Sequence, residues 1–262
     1  MNPKLSIVIP CYNSESTLED TLRSVFDQDF QQWEAIIVND GSPDNLESIA
    51  LSWVKKDSRF KYFKKDNGGL GSARNYGIEK ARGQFILPLD SDNKVRPDFV
   101  GASINVMYHN EKVAVVYGDA MFFGDKNELW DVGFFDKYRM LQHNYIDACA
   151  VIRKSVYESI GGYDENLPHQ GHEDWDFWLR VIKSDFTFYY LKQITFDYRV
   201  SSNSMIKTFD NDMMQENINY IKKKHYDLYV KEFSKLLNEN KVLREKLSST
   251  FFETLKKYLK RF

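Results

Sequence analysis

Four short apolar runs punctuate the first 92 residues: 5-LSIVIP-10, 34-EAIIVND-40, 60-FKYFKK-65 and 85-FILPLD-90. They are mostly continuous rather than alternating, the pattern of strands covered on both faces. Between them apolar residues recur at helical spacing, first Leu18, Leu22, Val25 and Phe26, then Leu46, Ile49, Ala50 and Trp53. Ser16 with Glu19, and Asp44 with Glu47, read as capping boxes ahead of these two helices. A third helix begins near Ser72 and is closed by Gly83. Strands alternating with helices predict a parallel sheet in the order βαβαβαβ.

Beyond residue 92 the pattern predicts a helix from Pro97 and a strand at 113-VAVVYGDA-120. From 121 to 146 aromatics mix with polar residues, which reads as loop and irregular structure. After 148-ACAVIR-153 come a short helix, the turn 161-GGYDEN-166, a helix over 173–184, and two strands, 186-FTFYYL-191 and 194-ITFDYRV-200. The remainder reads as helix.

Composition narrows the class. Charged residues make up 28% and hydrophobic ones 42% of 262 residues, which fits a folded α/β protein. The net charge of −2, with basic residues spread throughout, lacks the footprint of a nucleic-acid binder. Cys11 and Cys149 have no metal-ligand spacing and are expected to be buried, inert thiols in a reducing compartment. No run of 18 apolar residues occurs, and the N-terminal run is too short for a signal sequence. A cytoplasmic chain is expected, with peripheral contact at the inner face of the membrane as an additional option.

In an open parallel sheet, ligands bind beyond the carboxyl ends of the strands. The conspicuous polar groups sit at such ends: Pro10-Cys11-Tyr12-Asn13, Asn39-Asp40-Gly41-Ser42, Asp66-Asn67-Gly68-Gly69 and Asp90-Ser91-Asp92. This position separates Asp90/Asp92 from the other Asp-x-Asp pairs, at 27/29, 174/176 and 210/212. A carboxylate pair there suits Mg²⁺ or Mn²⁺ with phosphate oxygens and water; the plain alternative is two loop caps. The stretch 66-DNGGLGSARNYG-77 makes a poor dinucleotide fingerprint, because Arg74 stands at the third glycine position. It is either a turn before a helix or, through Arg74 in the first turn, a phosphate site. In 172-HEDWDFWLR-180, Trp175, Trp178, Leu179 and Ile182 form a core face and place Glu173 and Asp174 in the first turn. Acids there serve the helix dipole as caps, or the dipole keeps Asp174 ionised for work as a general base. Trp175 and Trp178 belong in the core, the alternative being a ring face offered to a sugar.

Together these residues resemble the inverting GT-A-fold glycosyltransferases of bacterial glycan synthesis. The match runs from Leu5 to Ser204 through SIVIPCYN (6–13), VNDGSPD (38–44), NGGLGSARNYG (67–77), LDSDN (89–93), GGYDE (161–165), HEDWDFWLR (172–180) and YRVSSNSM (198–205). The resemblance implies a Rossmann-like, mostly parallel sheet flanked by helices, with a nucleotide-binding half over 1–92 and an acceptor-binding half over 93–205. It implies that Pro10, Tyr12 and Asp40 hold the base of a nucleotide, usually uridine, and that Asn67, Arg74 and Asp90 contact the nucleotide or donor sugar. Asp92, with Asp90 beside it, would hold Mn²⁺ or Mg²⁺ on the diphosphate. Asp174 would be the catalytic base with Glu173 orienting the acceptor, and Arg199 and Ser204 would belong to a flexible loop over the diphosphate. The acceptor would be a glycan or a lipid-linked or protein-linked sugar. No Gln-x-x-Arg-Trp motif occurs, which implies single addition rather than processive synthesis.

Residues 206–262 read as a helical extension. Leu236, Leu243 and Thr250, and Asn240, Leu247 and Thr254, recur at seven, with Phe251, Leu255, Tyr258 and Phe262 continuing a stripe. Homo-oligomerisation through a short coiled coil is the first reading. Lys256, Lys257, Lys260 and Arg261 beside apolar residues make membrane docking the second, and a helix folded on its own domain the third. Two rivals to a sugar transferase stay open at this point: a nucleotidyltransferase using the same metal site, and a non-catalytic nucleotide- or sugar-binding subunit.

Overall fold

In the computed structural model the four apolar runs become β1 (Leu5–Cys11), β2 (Trp33–Asp40), β3 (Phe60–Lys65) and β4 (Phe85–Pro88). They pair in parallel in the order β3-β2-β1-β4. Every residue of β1, β2 and β4 is buried, which is why these runs are continuous rather than alternating. The structure describes residues 2–201 and 210–259, excluding the side chains of 248, 249 and 251–259.

The connecting helices are α1 (Leu18–Phe26), α2 (Leu46–Lys56) and α3 (Leu70–Lys80). Neither capping box forms as expected, since both acids are drawn to other donors and Asp44 reaches α2 only through a long bond from the Leu46 N–H at 3.4 Å. Glu19 accepts from the Trp53 indole N–H at 2.7 Å, tying α1 to α2. Asp44 accepts from Ser42 Oγ at 2.6 Å and from the Glu15 N–H at 2.7 Å. α3 starts two residues before Ser72, after Gly69 at φ +86°, and ends before Gly83. Gly83 instead passes against β1, where its N–H donates to Ser6 Oγ at 2.9 Å.

The second half contributes β5 (Lys94–Val95), α4 (Phe99–His109), β6 (Val113–Gly124), β7 (Leu129–Trp130), α5 (Lys137–Gln142), β8 (Val151–Arg153), α6 (Lys154–Ile160), α7 (Glu173–Lys183) and β9 (Thr187–Val200). The sheet continues β4-β8-β6-β9-β5, with β8 antiparallel to both neighbours, β6 parallel to β9, and β7 on β6. Two expectations change. The segment 121–146 is partly regular, since β6 runs to Gly124 and β7 and α5 follow. The two strands expected over 186–200 are one, because bulges against β6 and a left-handed Lys192 (φ +54°) carry the chain through the polar break.

The indoles of Trp175 and Trp178 are buried and donate to Met140 O (2.7 Å) and Ile146 O (2.9 Å). They pin α7 to the α5–β8 connection and offer no face to a ligand. Cys11 and Cys149 are buried, and burial pushes the Cys11 thiol up to about 12.

The chain divides into two compact units, residues 1–217 and 218–262. α8 (Asn211–Lys224) crosses that boundary, and α9 (Tyr226–Leu259) fills most of the second unit. Along α9, Phe233, Leu237, Leu243 and Leu247 are exposed. The side chains of Phe251, Thr254, Leu255, Lys256, Lys257 and Tyr258, and residues Lys260, Arg261 and Phe262, lie outside the described residues.

A Cβ on Gly83 would stand 2.6 Å from Ser6 N and 2.7 Å from Leu5 C, both backbone atoms of β1 or its lead-in. Gly83→Ala is therefore expected to destabilise by about 2–3 kcal/mol, the cost of overpacking a site that does not yield. Urea unfolding measures it; an unchanged midpoint would show that the α3–β4 connection moves freely away from β1.

Candidate active site

The chain leaves β1 and β4 on the same edge of the sheet, so Tyr12 and Asp90 emerge together. β2 brings Asp40 to that edge. The Asp40 carboxylate is buried and accepts three bonds: from Lys65 Nζ (2.7 Å), Gly68 N–H (3.0 Å) and Gly69 N–H (2.8 Å). It thereby shapes the glycine-rich turn that opens α3. The turn after β2 closes on Asn67: Gly41 has φ +67°, and a Cβ there would meet Asn67 N at 2.8 Å. Tyr12 is 50% exposed, and the next N–H, that of Asn13, donates to Ser42 Oγ at 2.8 Å. Pro10 is buried in register with Val38. Four of the expected nucleotide contacts thus lie at the ends of three adjacent strands.

Arg74 sits in the second turn of α3 rather than the first, and is only 3% exposed. Its guanidinium donates to Asp90 Oδ1 at 2.6 Å and lies 5.5 Å from the Tyr163 ring centre, while among the described residues its Nε has no hydrogen-bond partner. Burial works against its charge, but Asp90, Tyr163, Glu173 and Asp174 outweigh burial, so it stays a cation. Arg74 therefore joins the carboxylates after β4 to those at the start of α7.

Asp92 lies two residues beyond Asp90 in a turn held by Arg199. The Arg199 Nε donates to Asp92 O (3.0 Å), its backbone N–H to Asn93 Oδ1 (2.9 Å) and its guanidinium to Asp20 (2.9 Å). Arg199 is a β9 residue rather than a loop residue; Ser204 lies outside the described residues. Burial, then the charge of Asp90, raises the Asp92 carboxyl to about 6, with Arg199 opposing.

Glu173 and Asp174 open α7. Glu173 is buried and folds back to accept from the Gly171 N–H at 2.9 Å; burial raises its carboxyl above the usual range. Asp174 accepts from the Trp175 N–H (2.8 Å) and from Asn144 Nδ2 (2.8 Å). Burial raises it to about 7, with Arg74 opposing and Glu173 adding. The helix dipole alone does not keep Asp174 ionised at neutral pH, as had been expected from its first-turn position. Arg74 and Asn144 hold it near the balance point.

The sequence reading missed Asp147. Its carboxylate accepts from the Cys149 N–H at 2.8 Å, and burial with the charges of Asp90 and Asp174 raises it well above the carboxylate range. It therefore faces both acidic groups.

Among the described residues no three His, Cys, Asp or Glu side chains group as a metal cage. Asp90 and Asp92 nevertheless suit a hard divalent cation that brings phosphate oxygens and water as its other ligands. A half-exposed turn in which burial and the neighbouring Asp90 charge both work against the Asp92 carboxylate is the donor chemistry such a cation relieves.

The family described as Glycosyl transferase family 2 matches residues 6–161, which carry β1 through α6. The chain belongs to glycosyl transferase family 2. A second match, described as the N-terminal domain of galactosyltransferase, covers residues 135–205. An uncharacterized glycosyltransferase of Rickettsia typhi is 30% identical over 96% of this chain and 78% of its own length. The putative teichuronic acid biosynthesis glycosyltransferase TuaG of Bacillus subtilis is 28% identical over 78% of this chain and 81% of its own. Among solved structures, S. aureus TarS 1-349 in complex with UDP-GlcNAc superimposes with a TM-score of 0.67 at 18% identity, over 81% of this chain and 64% of that one. The mannosyltransferase PcManGT of Pyrobaculum calidifontis, solved with GDP-Man and Mn²⁺, gives 0.61 at 16%, over 78% and 59%. The fold of this family 2 chain is thus GT-A, and the chain is a glycosyltransferase.

The raised carboxyls have a linkage consequence. An unfolded Asp ionises near 4, whereas Asp174 ionises at about 7 in the fold, so the folded state holds the proton between those values. Its contribution to stability is fully present below pH 4 and is lost as pH rises through 7. Asp174→Asn removes this dependence, so its stability relative to wild type should climb by roughly 2–3 kcal/mol between pH 5 and pH 8 in metal-free protein. Denaturant titrations at the two pH values measure the change; a constant difference would contradict the burial of this carboxyl.

Proposed function

We propose that this family 2 enzyme transfers a single sugar from a nucleotide sugar, most often a UDP-sugar, to an acceptor hydroxyl, with inversion and with help from Mn²⁺ or Mg²⁺. The observation that carries the reading is Arg74, one buried cation whose field reaches both Asp90 and the Glu173-Asp174 pair. A donor diphosphate held on the first side and an acceptor hydroxyl on the second would meet across it. The UDP-GlcNAc in TarS and the GDP-Man with Mn²⁺ in PcManGT support a nucleotide-sugar donor and a divalent ion here.

In this reading Pro10, Tyr12 and Asp40 hold the base, Asn67 borders it, and Arg74 and Asp90 meet the diphosphate or donor sugar. Asp92 and Asp90 would hold the cation, which when bound offsets the charge growing on the leaving diphosphate. Asp174 takes the acceptor proton while that oxygen attacks the anomeric carbon from the face opposite the diphosphate. Glu173 orients the acceptor by fixing the start of α7, and Arg199 keeps the Asp92 turn in place, with Ser204 assigned to the loop beyond it. Transfer occupies residues 1–205, and 206–262 is an extension that pairs subunits through α9 or rests on the membrane. The acceptor is a glycan, glycolipid or protein-linked sugar; the putative role of TuaG in teichuronic acid biosynthesis favours a surface polymer. No helix among the described residues is long and apolar enough to cross a membrane, which is compatible with work at the inner face of the cell membrane.

The decisive experiment incubates the purified protein with a panel of nucleotide sugars and Mn²⁺ and measures nucleoside diphosphate. Release from one UDP-sugar, abolished by chelation and by Asp92→Asn, is expected. Asp174→Asn should lower kcat by about 10²–10⁴-fold while leaving UDP binding intact. Wild-type turnover of Asp92→Asn at limiting metal would remove the metal assignment. Wild-type kcat in Asp174→Asn would remove the base.

A further inference from the structure

The chain from the last turn of α5 towards β8 is fastened to α7 at two points, one on either side of Asn144. Trp175 holds Met140 O at 2.7 Å, and Trp178, almost one turn later, holds Ile146 O at 2.9 Å. Both indoles are buried, so these anchors are costly to break. Asn144 lies between them, and its Nδ2 meets Asp174 Oδ2 at 2.8 Å while its own Oδ1 accepts from the Ile146 N–H at 3.4 Å. That second bond fixes the direction of the amide, oxygen towards the chain and nitrogen towards the carboxylate. The helix that presents Asp174 therefore also positions the group that holds it.

We propose that Asn144 is a positioning residue for the transfer reaction: its amide donates to Oδ2 of Asp174, fixes the carboxylate plane and favours the ionised form that accepts the acceptor proton. The proposal rests on the reading of Asp174 as the base. With the Trp175 N–H on Oδ1 and Asn144 on Oδ2, each oxygen keeps one further acceptor direction, and the carboxylate does not rotate between them. The other ionisable groups facing Asp174 are Arg74 on α3, Glu173 on α7, Asp147 before β8, Tyr163 in the 161–165 turn and Tyr198 on β9. Of these only Arg74 is cationic, so Asn144 is the neutral donor that assists it.

The test titrates the Asp174 side-chain carboxyl by ¹³C NMR in the metal-free protein, with the resonance assigned by its loss in Asp174→Asn. Asn144→Ala should raise its midpoint by about one pH unit, because a donor to the charged form is gone. Asn144→Asp, the same shape with a carboxylate in place of the donor, should raise it further. In diphosphate-release assays with the donor found in the panel above, Asn144→Ala should lose about fivefold in kcat at pH 7, and its ratio to wild type should approach one by pH 9. Binding of UDP with Mn²⁺, read by calorimetry, should stay at the wild-type level and so exclude a folding defect. Unmoved midpoints, or a loss of kcat equal at every pH, overturn the proposal. Unmoved midpoints beside an inactive Asp174→Asn sink this inference alone, whereas an active Asp174→Asn sinks the base assignment beneath it.

Discussion

A cation buried to 3% exposure needs opposite charge around it, and Arg74 dictates how the rest of this site is arranged. Its partner Asp90 is delivered by β4, and Glu173 and Asp174 by the first turn of α7, elements separated by some eighty residues of chain. Remove the guanidinium and four carboxylates, Asp90, Asp147, Glu173 and Asp174, would share a poorly solvated space with, among the described residues, no Lys or Arg of comparable burial. Burial first, and then the neighbouring acids, raise the carboxyls of Asp147 and Asp174 in spite of Arg74. A site of this kind holds a net negative field that a divalent cation or a proton relieves.

The first half of the fold was legible because β1, β2 and β4 are covered on both faces, so burial writes itself as unbroken apolar runs. The candidate site residues at the ends of those strands follow from the rule that parallel strands present ligands at their carboxyl ends. The same rule hid Asp147. β8 runs antiparallel to β4, with Ile152 opposite Ile86, so its amino end meets the carboxyl end of β4. An acid just before an apolar run looks like a loop residue until the direction of that strand is known. The signal was present in 147-DACAVIR-153, but reading it required a topology that periodicity does not encode.

Local chemistry misled where distant partners offered better bonds. The helices at Leu18 and Leu46 formed, yet Glu19 went to the Trp53 indole and Asp44 to the nearby Ser42 hydroxyl and the remote Glu15 N–H, keeping only a long bond to the start of its helix. The break at Lys192 and Gln193 suggested two strands for a related reason. The long ladder with β6 absorbs one left-handed residue more cheaply than it gives up pairing on either side. The aromatic stretch 121–146 gave the least, since its order comes from pairing with β6 at one end and from buried indoles on α7 at the other rather than from any period of its own.

The three bonds that Asp40 already accepts from Lys65, Gly68 and Gly69 bear on speed as well as shape. They freeze the glycine-rich turn before any ligand arrives, in the segment where glycine would otherwise have the most conformational freedom to lose. A ligand entering this edge meets finished walls and has little chain entropy to extract from them. Encounter with such a ligand would then wait on diffusion and charge rather than on the ordering of this turn, and the lifetime of the complex would carry the differences in affinity between competing ligands.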